Sequence, residues 1–316
     1  MSGLRHLVSI DDLSLPEIRE LFQHASRFQE DMRAHSAVGR GMISASLFYE
    51  ASTRTRVSFE VAAKNLSADV VNIAASTSSV AKGESLVDTV RTVEALGAQM
   101  LVMRHGVSGA PYLAAEIFGG SVLNGGDGWH AHPSQALLDL YTLRSRFPGG
   151  SLEGRKVVIL GDALHSRVAR SNIWTLTAMG ADLWLCGPST LLRGFEAWAA
   201  RGAAGRRFTV TSDVSAALRD ADAVMALRIQ KERMAGGLLP SLREYAARYG
   251  LTQERLRAAS PDVVVMHPGP MNEGVEIAAD VAVDPRSVIT AQVTNGVAVR
   301  MALLYLLSGT KSGEGA

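Results

Sequence analysis

The chain reads as an α/β protein of two domains, each a parallel sheet flanked by helices. Three observations lead there. Short apolar runs alternate with stretches at helical spacing along most of the chain, the pattern of parallel sheets covered by helices on both faces. The alternation is interrupted at Pro148-Gly149-Gly150-Ser151, where a second series begins. The 316 residues, 47% hydrophobic and 20% charged, suffice for two domains of ordinary size with substantial cores.

The elements follow in order. Ser14 caps a helix that opens Leu15-Pro16-Glu17 and carries Ile18, Leu21, Phe22 and Ala25 on one side. The apolar run from Met42 to Tyr49 is a buried strand, and Val57-Ser58-Phe59-Glu60-Val61-Ala62-Ala63 opens the next helix. A strand over 69–73 leads into a loop of small polar residues, after which Leu86, Val90, Val93 and Leu96 share a helix face. Met100-Leu101-Val102-Met103 is a short buried strand, and Ser121 to Leu123 is another, ending in a tight loop, Asn124-Gly125-Gly126-Asp127-Gly128. Helix 133–147 sets Ala136, Leu140, Leu143 and Phe147 along one face. The second series predicts strands over 156–160, 183–186, 223–227 and 262–266, with helices over 168–179 and 252–258. A last helix, 296–307, carries Val299, Leu303 and Leu306, and the polar tail from Ser308 is expected to be disordered.

Bulk properties exclude several classes. A formal charge of +1 gives no polyanion-binding surface, so any anion site must be local and nucleic acid is not expected as a partner. The single cysteine, Cys186, lies in the apolar run Asp182-Leu183-Trp184-Leu185-Cys186 and reads as a buried strand thiol. It leaves no intramolecular disulfide and no cysteine-cluster metal site. The N-terminal residues lack the apolar stretch of a secretory signal, and no apolar run nears the roughly 18–20 residues that span a bilayer. The expectation is a cytoplasmic protein.

The most informative segment is Ser52-Thr53-Arg54-Thr55-Arg56, at a strand-to-helix turn. Hydroxyl side chains there cap free N–H groups, and those groups with the helix dipole form an anion site. Arg54 adds a planar donor fork suited to two phosphate oxygens. Other polar clusters also follow putative strands: Arg104-His105, Gly161-Asp162, Arg228-Ile229-Gln230 and His267-Pro268-Gly269-Pro270. Ligands of such sheets collect at the carboxyl ends of strands. No Gly-x-Gly-x-x-Gly follows a strand, and no His, Cys or carboxylate set shows metal-ligand spacing.

Read together, the segments resemble the catalytic chains of the aspartate carbamoyltransferase family, within the aspartate/ornithine carbamoyltransferase superfamily, over essentially the whole length. The matching pieces are Phe48 to Arg56, Ser78 to Ser85, His132-Pro133-Ser134-Gln135, Gly161-Asp162 with His165-Ser166-Arg167, Arg228 to Arg233, and His267 to Pro270. The resemblance implies a carbamoyl-phosphate-binding domain over 1–147, with a C-terminal helix at about 292–307 packing back on it. It implies an aspartate-binding domain over 151–291. The implied reaction moves the carbamoyl group of carbamoyl phosphate to the amino group of L-aspartate, in pyrimidine synthesis, with no cofactor and no metal.

The resemblance also implies roles. Ser52, Thr53, Arg54 and Thr55 hold the phosphate, with Arg54 on the leaving group. Thr55, Arg104 and His132 face the carbonyl oxygen, Gln135 also binds carbamoyl phosphate, and Gly269 and Pro270 accept from the carbamoyl NH₂ through their carbonyls. Arg167, Arg228 and Gln230 clamp the two carboxylates of aspartate. Lys82 reaches into a neighbouring subunit's site and meets both substrates, which implies a homotrimer with shared sites. Glu50, Lys231 and Arg233 form ion pairs of a closed form. A regulatory chain or a dihydroorotase is a possible further partner. One departure is Asn272-Glu273, where many relatives carry Asn-Arg, so that an acid replaces a base. Two alternatives stay open: ornithine carbamoyltransferase, whose late His-Cys-Leu-Pro element is missing here, and a catalytically silent scaffold subunit.

Overall fold

The computed structural model describes residues 4–32, 37–74, 84–201, 207–230 and 237–308. The chain packs as two units, Met1–Leu138 with Thr294–Ala316, and Asp139–Val293. The division falls inside two helices, α5 (Pro133–Arg144) and α12 (Ile289–Leu307), rather than in a loop.

The first unit contains α1 (Leu15–Glu30), β1 (Ile43–Phe48), α2 (Thr53–Asn65), β2 (Asp69–Ala74), α3 (Leu86–Ala95), β3 (Met100–His105), α4 (Ala110–Ile117) and β4 (Ser121–Asp127). Its sheet has the order β2-β1-β3-β4 with every pair parallel. Ser14 caps α1 as expected, in a reciprocal box in which the Ser14 N–H donates to Glu17 Oε2 at 2.9 Å. Ile18, Leu21, Phe22, Ala25 and Phe28 are buried beneath it. Leu96, expected on the buried face of α3, is instead its C-cap and 73% exposed.

Two expectations fail here for physical reasons. Asn124 to Asp127 is not a tight loop but the end of β4, and all seven strand residues are buried. The glycines belong there because a Cβ at Gly125 would lie 3.2 Å from the Met103 carbonyl, where the β3–β4 register shifts. Helix α5 ends three residues before Phe147, and it is not amphipathic. Leu137, Leu138, Asp139, Leu140 and Thr142 are all at most 3% exposed, so the helix is surrounded on every side.

The second unit contains β5 (Lys156–Leu160), α6 (Arg167–Ala178), β6 (Asp182–Cys186), α7 (Phe195–Arg201), β7 (Phe208–Thr211), α8 (Val214–Leu218), β8 (Ala223–Ala226), α9 (Leu242–Tyr249), α10 (Gln253–Leu256), β9 (Val264–Met266) and α11 (Ala279–Ala282). Its sheet runs β7-β6-β5-β8-β9, again all parallel. A buried core beneath it joins Val158, Leu160, Val224, Ala226, Leu256, Val265 and Ile277. Cys186 is buried as expected, and burial pushes its thiol up to about 12. Helix α12 begins at Ile289, seven residues before Gly296, and buries Val299 and Leu303 but not Leu306. The tail from residue 309 lies outside the described residues.

Each strand order reverses direction once, between β1 and β3 in the first sheet and between β5 and β8 in the second. Helices that follow adjacent strands in opposite senses leave a crevice at the carboxyl edge, and that is where open α/β sheets bind ligands.

Candidate active site

The first crevice collects the phosphate-type residues. β1 ends at Phe48, and Ser52 stands at the N-cap of α2. Contrary to expectation, the Ser52 hydroxyl makes no capping bond to its own helix. Helix geometry gives the N–H groups of the first turn no intrahelical acceptor, so those of Thr53, Arg54 and Thr55 are the kind of donors that suit an anion. Thr55 is buried, while Arg54 is largely exposed, with enough protein around it that desolvation lowers its pKa from the ordinary value.

Arg104 enters from the next strand. It pairs in register with Phe48, and the Tyr49 N–H donates to its carbonyl at 2.9 Å, so it lies one residue from the end of β3, beside the turn. Its guanidinium donates from Nη1 to the Gly125 carbonyl at 3.3 Å and lies 3.4 Å, through Nε, from Glu50 Oε2. A Cβ at Gly125 would also meet Thr55 Cγ2 at 3.5 Å, which places Thr55 and Arg104 against the same stretch of β4. His105 packs against Tyr49 with ring centroids 4.6 Å apart and tilted by 59°, and accepts the Val107 N–H on Nδ1. Burial lowers its pKa.

His132 precedes α5 and is 4% exposed; its carbonyl accepts the N–H groups of Gln135 and Ala136. A residue missed from the sequence ties down the stretch just before it: Asp127, whose carboxylate is fully buried. Asp127 Oδ1 accepts from Asn124 Nδ2 at 2.7 Å and the Ala131 N–H at 3.1 Å, and Oδ2 accepts the Gly109 N–H at 2.7 Å. His130 Nδ1 lies 3.1 Å from Oδ2. Burial works to raise Asp127, but the His130, Gly109 and Asn124 donors together hold it below the ordinary value. The available signal was an acid three residues after Asn124 and three before His130, at a strand end.

The second crevice collects the carboxylate-type residues. Gly161 leaves β5 at φ +130, where a Cβ would come within 2.9 Å of the Tyr245 hydroxyl, so only glycine fits. Asp162 follows, fully buried, with His165 Nδ1 at 2.8 Å. Its Oδ1 accepts the His165 N–H and its Oδ2 the Gln230 N–H, both at 3.3 Å. One acid thus fixes the loops after β5 and after β8. Ser166 caps α6 through its hydroxyl, and Arg167 is the first helical residue, 4% exposed. Arg228 follows β8, half-buried, and its Nη1 donates to Gln230 Oε1 at 3.5 Å.

The expected residues therefore fall in two groups. Ser52 to Thr55, Arg104, His132 and Gln135 belong to the first unit, and Arg167, Arg228 and Gln230 to the second. Gly269 and Pro270, expected to touch the carbamoyl group, follow β9 in the second unit. Lys82, Lys231 and Arg233 lie outside the described residues, and Glu50 pairs with Arg104. Glu273 is exposed. Among the described residues no group of three or more His, Cys, Asp or Glu is arranged to hold a metal ion, and no helix is long and apolar enough to cross a membrane.

Two doubly wound sheets, each with cationic side chains beside its switch point, define a class of anion-binding α/β proteins, and comparison with known proteins narrows it. The carbamoyl-P binding domain of aspartate/ornithine carbamoyltransferases matches residues 5–145, and their Asp/Orn binding domain matches 153–307. The aspartate carbamoyltransferase catalytic subunit of Roseiflexus sp. (strain RS-1) is 58% identical, covering 96% of this chain and 95% of that one. That of Chloroflexus aggregans is 54% identical over 96% and 98%. Among solved structures, Trypanosoma cruzi aspartate transcarbamoylase in complex with carbamoyl phosphate and aspartate superposes with a TM-score of 0.84 at 30% identity, covering 95% and 96%. Pyrococcus furiosus ornithine carbamoyltransferase gives 0.85 at 28% identity over 97% and 98%. The chain belongs to the aspartate/ornithine carbamoyltransferase family.

The Asp127 network predicts a pH signature. Because its folded pKa is depressed, its stabilisation is complete above the ordinary aspartate range and is lost as pH falls through the folded value. Asp127→Asn should cost about 1–3 kcal/mol at pH 7, since it leaves a buried N–H without its acceptor. In urea titrations that difference should shrink below about pH 4. A difference independent of pH would contradict the assigned bonding.

Proposed function

We infer that the chain transfers the carbamoyl group of carbamoyl phosphate to the α-amino group of L-aspartate, giving N-carbamoyl-L-aspartate and phosphate, in de novo pyrimidine synthesis. The observation that carries this is the β1/β3 crevice: a helix N-terminus with an unused Ser52 cap and Arg104 in register beside it, in a chain of this family. The acceptor assignment draws on the paired arginines of the β5/β8 crevice and on the names of the 54–58% identical relatives. Two guanidinium groups match two carboxylates, whereas the ammonium of ornithine would meet like charge.

The amine nitrogen attacks the carbamoyl carbon, and the bond from that carbon to the phosphate oxygen breaks. Negative charge grows on the carbonyl oxygen and on the leaving phosphate. In this reading Thr55, Arg104 and His132 stabilise the first, and Ser52, Thr53, Arg54 and the first-turn N–H groups of α2 stabilise the second. Gln135 supports the carbamoyl end, and the carbonyls of Gly269 and Pro270 accept from its NH₂. Arg167, Arg228 and Gln230 hold aspartate. The amine proton goes to the departing phosphate, so no side chain serves as base, and the scheme requires no cofactor.

The first unit is proposed as the carbamoyl-phosphate domain and the second as the aspartate domain, in a cytoplasmic homotrimer whose Lys82 serves a neighbouring subunit's site. A regulatory chain or dihydroorotase remains a proposed partner on resemblance alone.

With labelled carbamoyl phosphate and aspartate, ornithine or putrescine in parallel, wild type should yield only carbamoyl-aspartate. Arg54→Ala should lower kcat by about 10²–10³-fold, as loss of one charge-stabilising donor does elsewhere. Product with ornithine alone would overturn the acceptor assignment, and no product with any acceptor would favour the scaffold alternative. For the shared site, inactive Lys82→Ala chains mixed with inactive His132→Ala chains should regain part of the activity, because some mixed trimers hold an unmutated site. Persistent inactivity in verified mixed trimers would remove the shared-site proposal.

A further inference from the structure

The turn after β9 carries no charged side chain from His267 to Met271, yet it is tied to a buried acid. His267 Nδ1 accepts the Gly269 N–H at 2.8 Å, which fixes the tautomer with its proton on Nε2. Nε2 in turn donates to Glu276 Oε1 at 3.2 Å. The same oxygen accepts the Asn272 N–H at 2.5 Å, and Oε2 accepts from Asn272 Nδ2 at 3.2 Å. Both side chains of the His267–Glu276 pair are 0% exposed.

One carboxylate therefore closes the turn at both ends, at Gly269 through the imidazole and at Asn272 directly. Between those ends lie the carbonyls of Gly269 and Pro270, on residues that reach solvent. The strand side is tied as well: the His267 N–H donates to Gln292 Oε1 at 3.0 Å, and Gln292 Nε2 donates to Asp139 at 2.7 Å. Burying a carboxylate is costly unless donors surround it. Among the described residues the donors to it come from His267 and Asn272, both in this turn.

We propose that Glu276 is a positioning residue that aims the Gly269 and Pro270 carbonyls at the carbamoyl amide and thereby selects carbamoyl phosphate over other acyl phosphates. The inference rests on the reading of those two carbonyls given under Proposed function. An NH₂ group offers two N–H donors to two fixed acceptors. An acetyl group of nearly the same size offers none and leaves both carbonyls unsatisfied, which is the kind of mismatch that polar sites reject strongly. Releasing the turn misaims both acceptors but leaves the α2 phosphate turn untouched.

The test is equilibrium binding of carbamoyl phosphate, acetyl phosphate and inorganic phosphate to the full-length protein, as wild type, Glu276→Ala and Glu276→Gln. Wild type should bind carbamoyl phosphate at least tenfold more tightly than acetyl phosphate. Glu276→Ala should weaken carbamoyl phosphate by about tenfold, the scale of one or two neutral hydrogen bonds, and leave the other two probes within twofold. Glu276→Gln should retain the preference, because its Oε1 can still accept from His267 and Asn272 while the Asn272 amide turns to accept from its NH₂. If Glu276→Ala does not fold, Glu276→Asp withdraws the carboxylate by one methylene and should shift the preference in the same direction. Equal weakening of all three probes, or an unchanged preference, would overturn the positioning role. A wild type with no preference between carbamoyl and acetyl phosphate would instead overturn the amide-acceptor reading itself.

Discussion

A parallel sheet cannot cover its own carboxyl edge where neighbouring strands send their helices to opposite faces. Both sheets of this chain contain one such reversal, between β1 and β3 and between β5 and β8. Each crevice is entered by the N-terminus of a helix, α2 or α6, whose first N–H groups lack intrahelical partners. Strand register brings the arginines to these places: Arg104 opposite Phe48, and Arg228 beyond the β5–β8 pairing. A chain with a formal charge of only +1 thus concentrates its cationic character locally.

The loops at these edges share a second device. Asp127, Asp162 and Glu276 are buried acids, and each accepts main-chain N–H groups from the loop that carries a proposed ligand contact. Asp127 holds Ala131 ahead of His132, Asp162 holds Gln230, and Glu276 holds Asn272. An acid directed at backbone donors in the interior fixes a loop without presenting negative charge to an anionic substrate. The site is then preorganised by groups that need not touch the reactants.

Much of this was legible in the sequence because the periodic signals were strong. The strands β1 and β5 are short apolar runs, and the Ser14 box names its own helix start. Other features were hidden by context. β4 contains two adjacent glycines and so resembles a loop, although the close approach of Met103 is what demands Gly125. Helix α5 resembles an amphipathic helix, but Asp139 and Thr142 on its polar side are buried, with Asp139 bonded to Asn172 and Gln292. Strand β7 is only half-buried at the sheet edge and gives a weak apolar signal. The cationic residues were visible as motifs, whereas Asp127 left only its place between Asn124 and His130, and Glu276, bonded to the Asn272 main chain, left no pattern of residue types.

Fixed N–H groups and guanidinium ions at two strand edges are proposed as the anion sites of one reaction. A crystal structure with a bisubstrate phosphonate, joining a phosphonoacetyl group to aspartate, measures this directly. The phosphonate should lie on the Ser52–Thr55 turn with Arg54, and the two carboxylates on Arg167 and Arg228. A phosphonate seated away from α2, with those arginines directed into solvent, would contradict it.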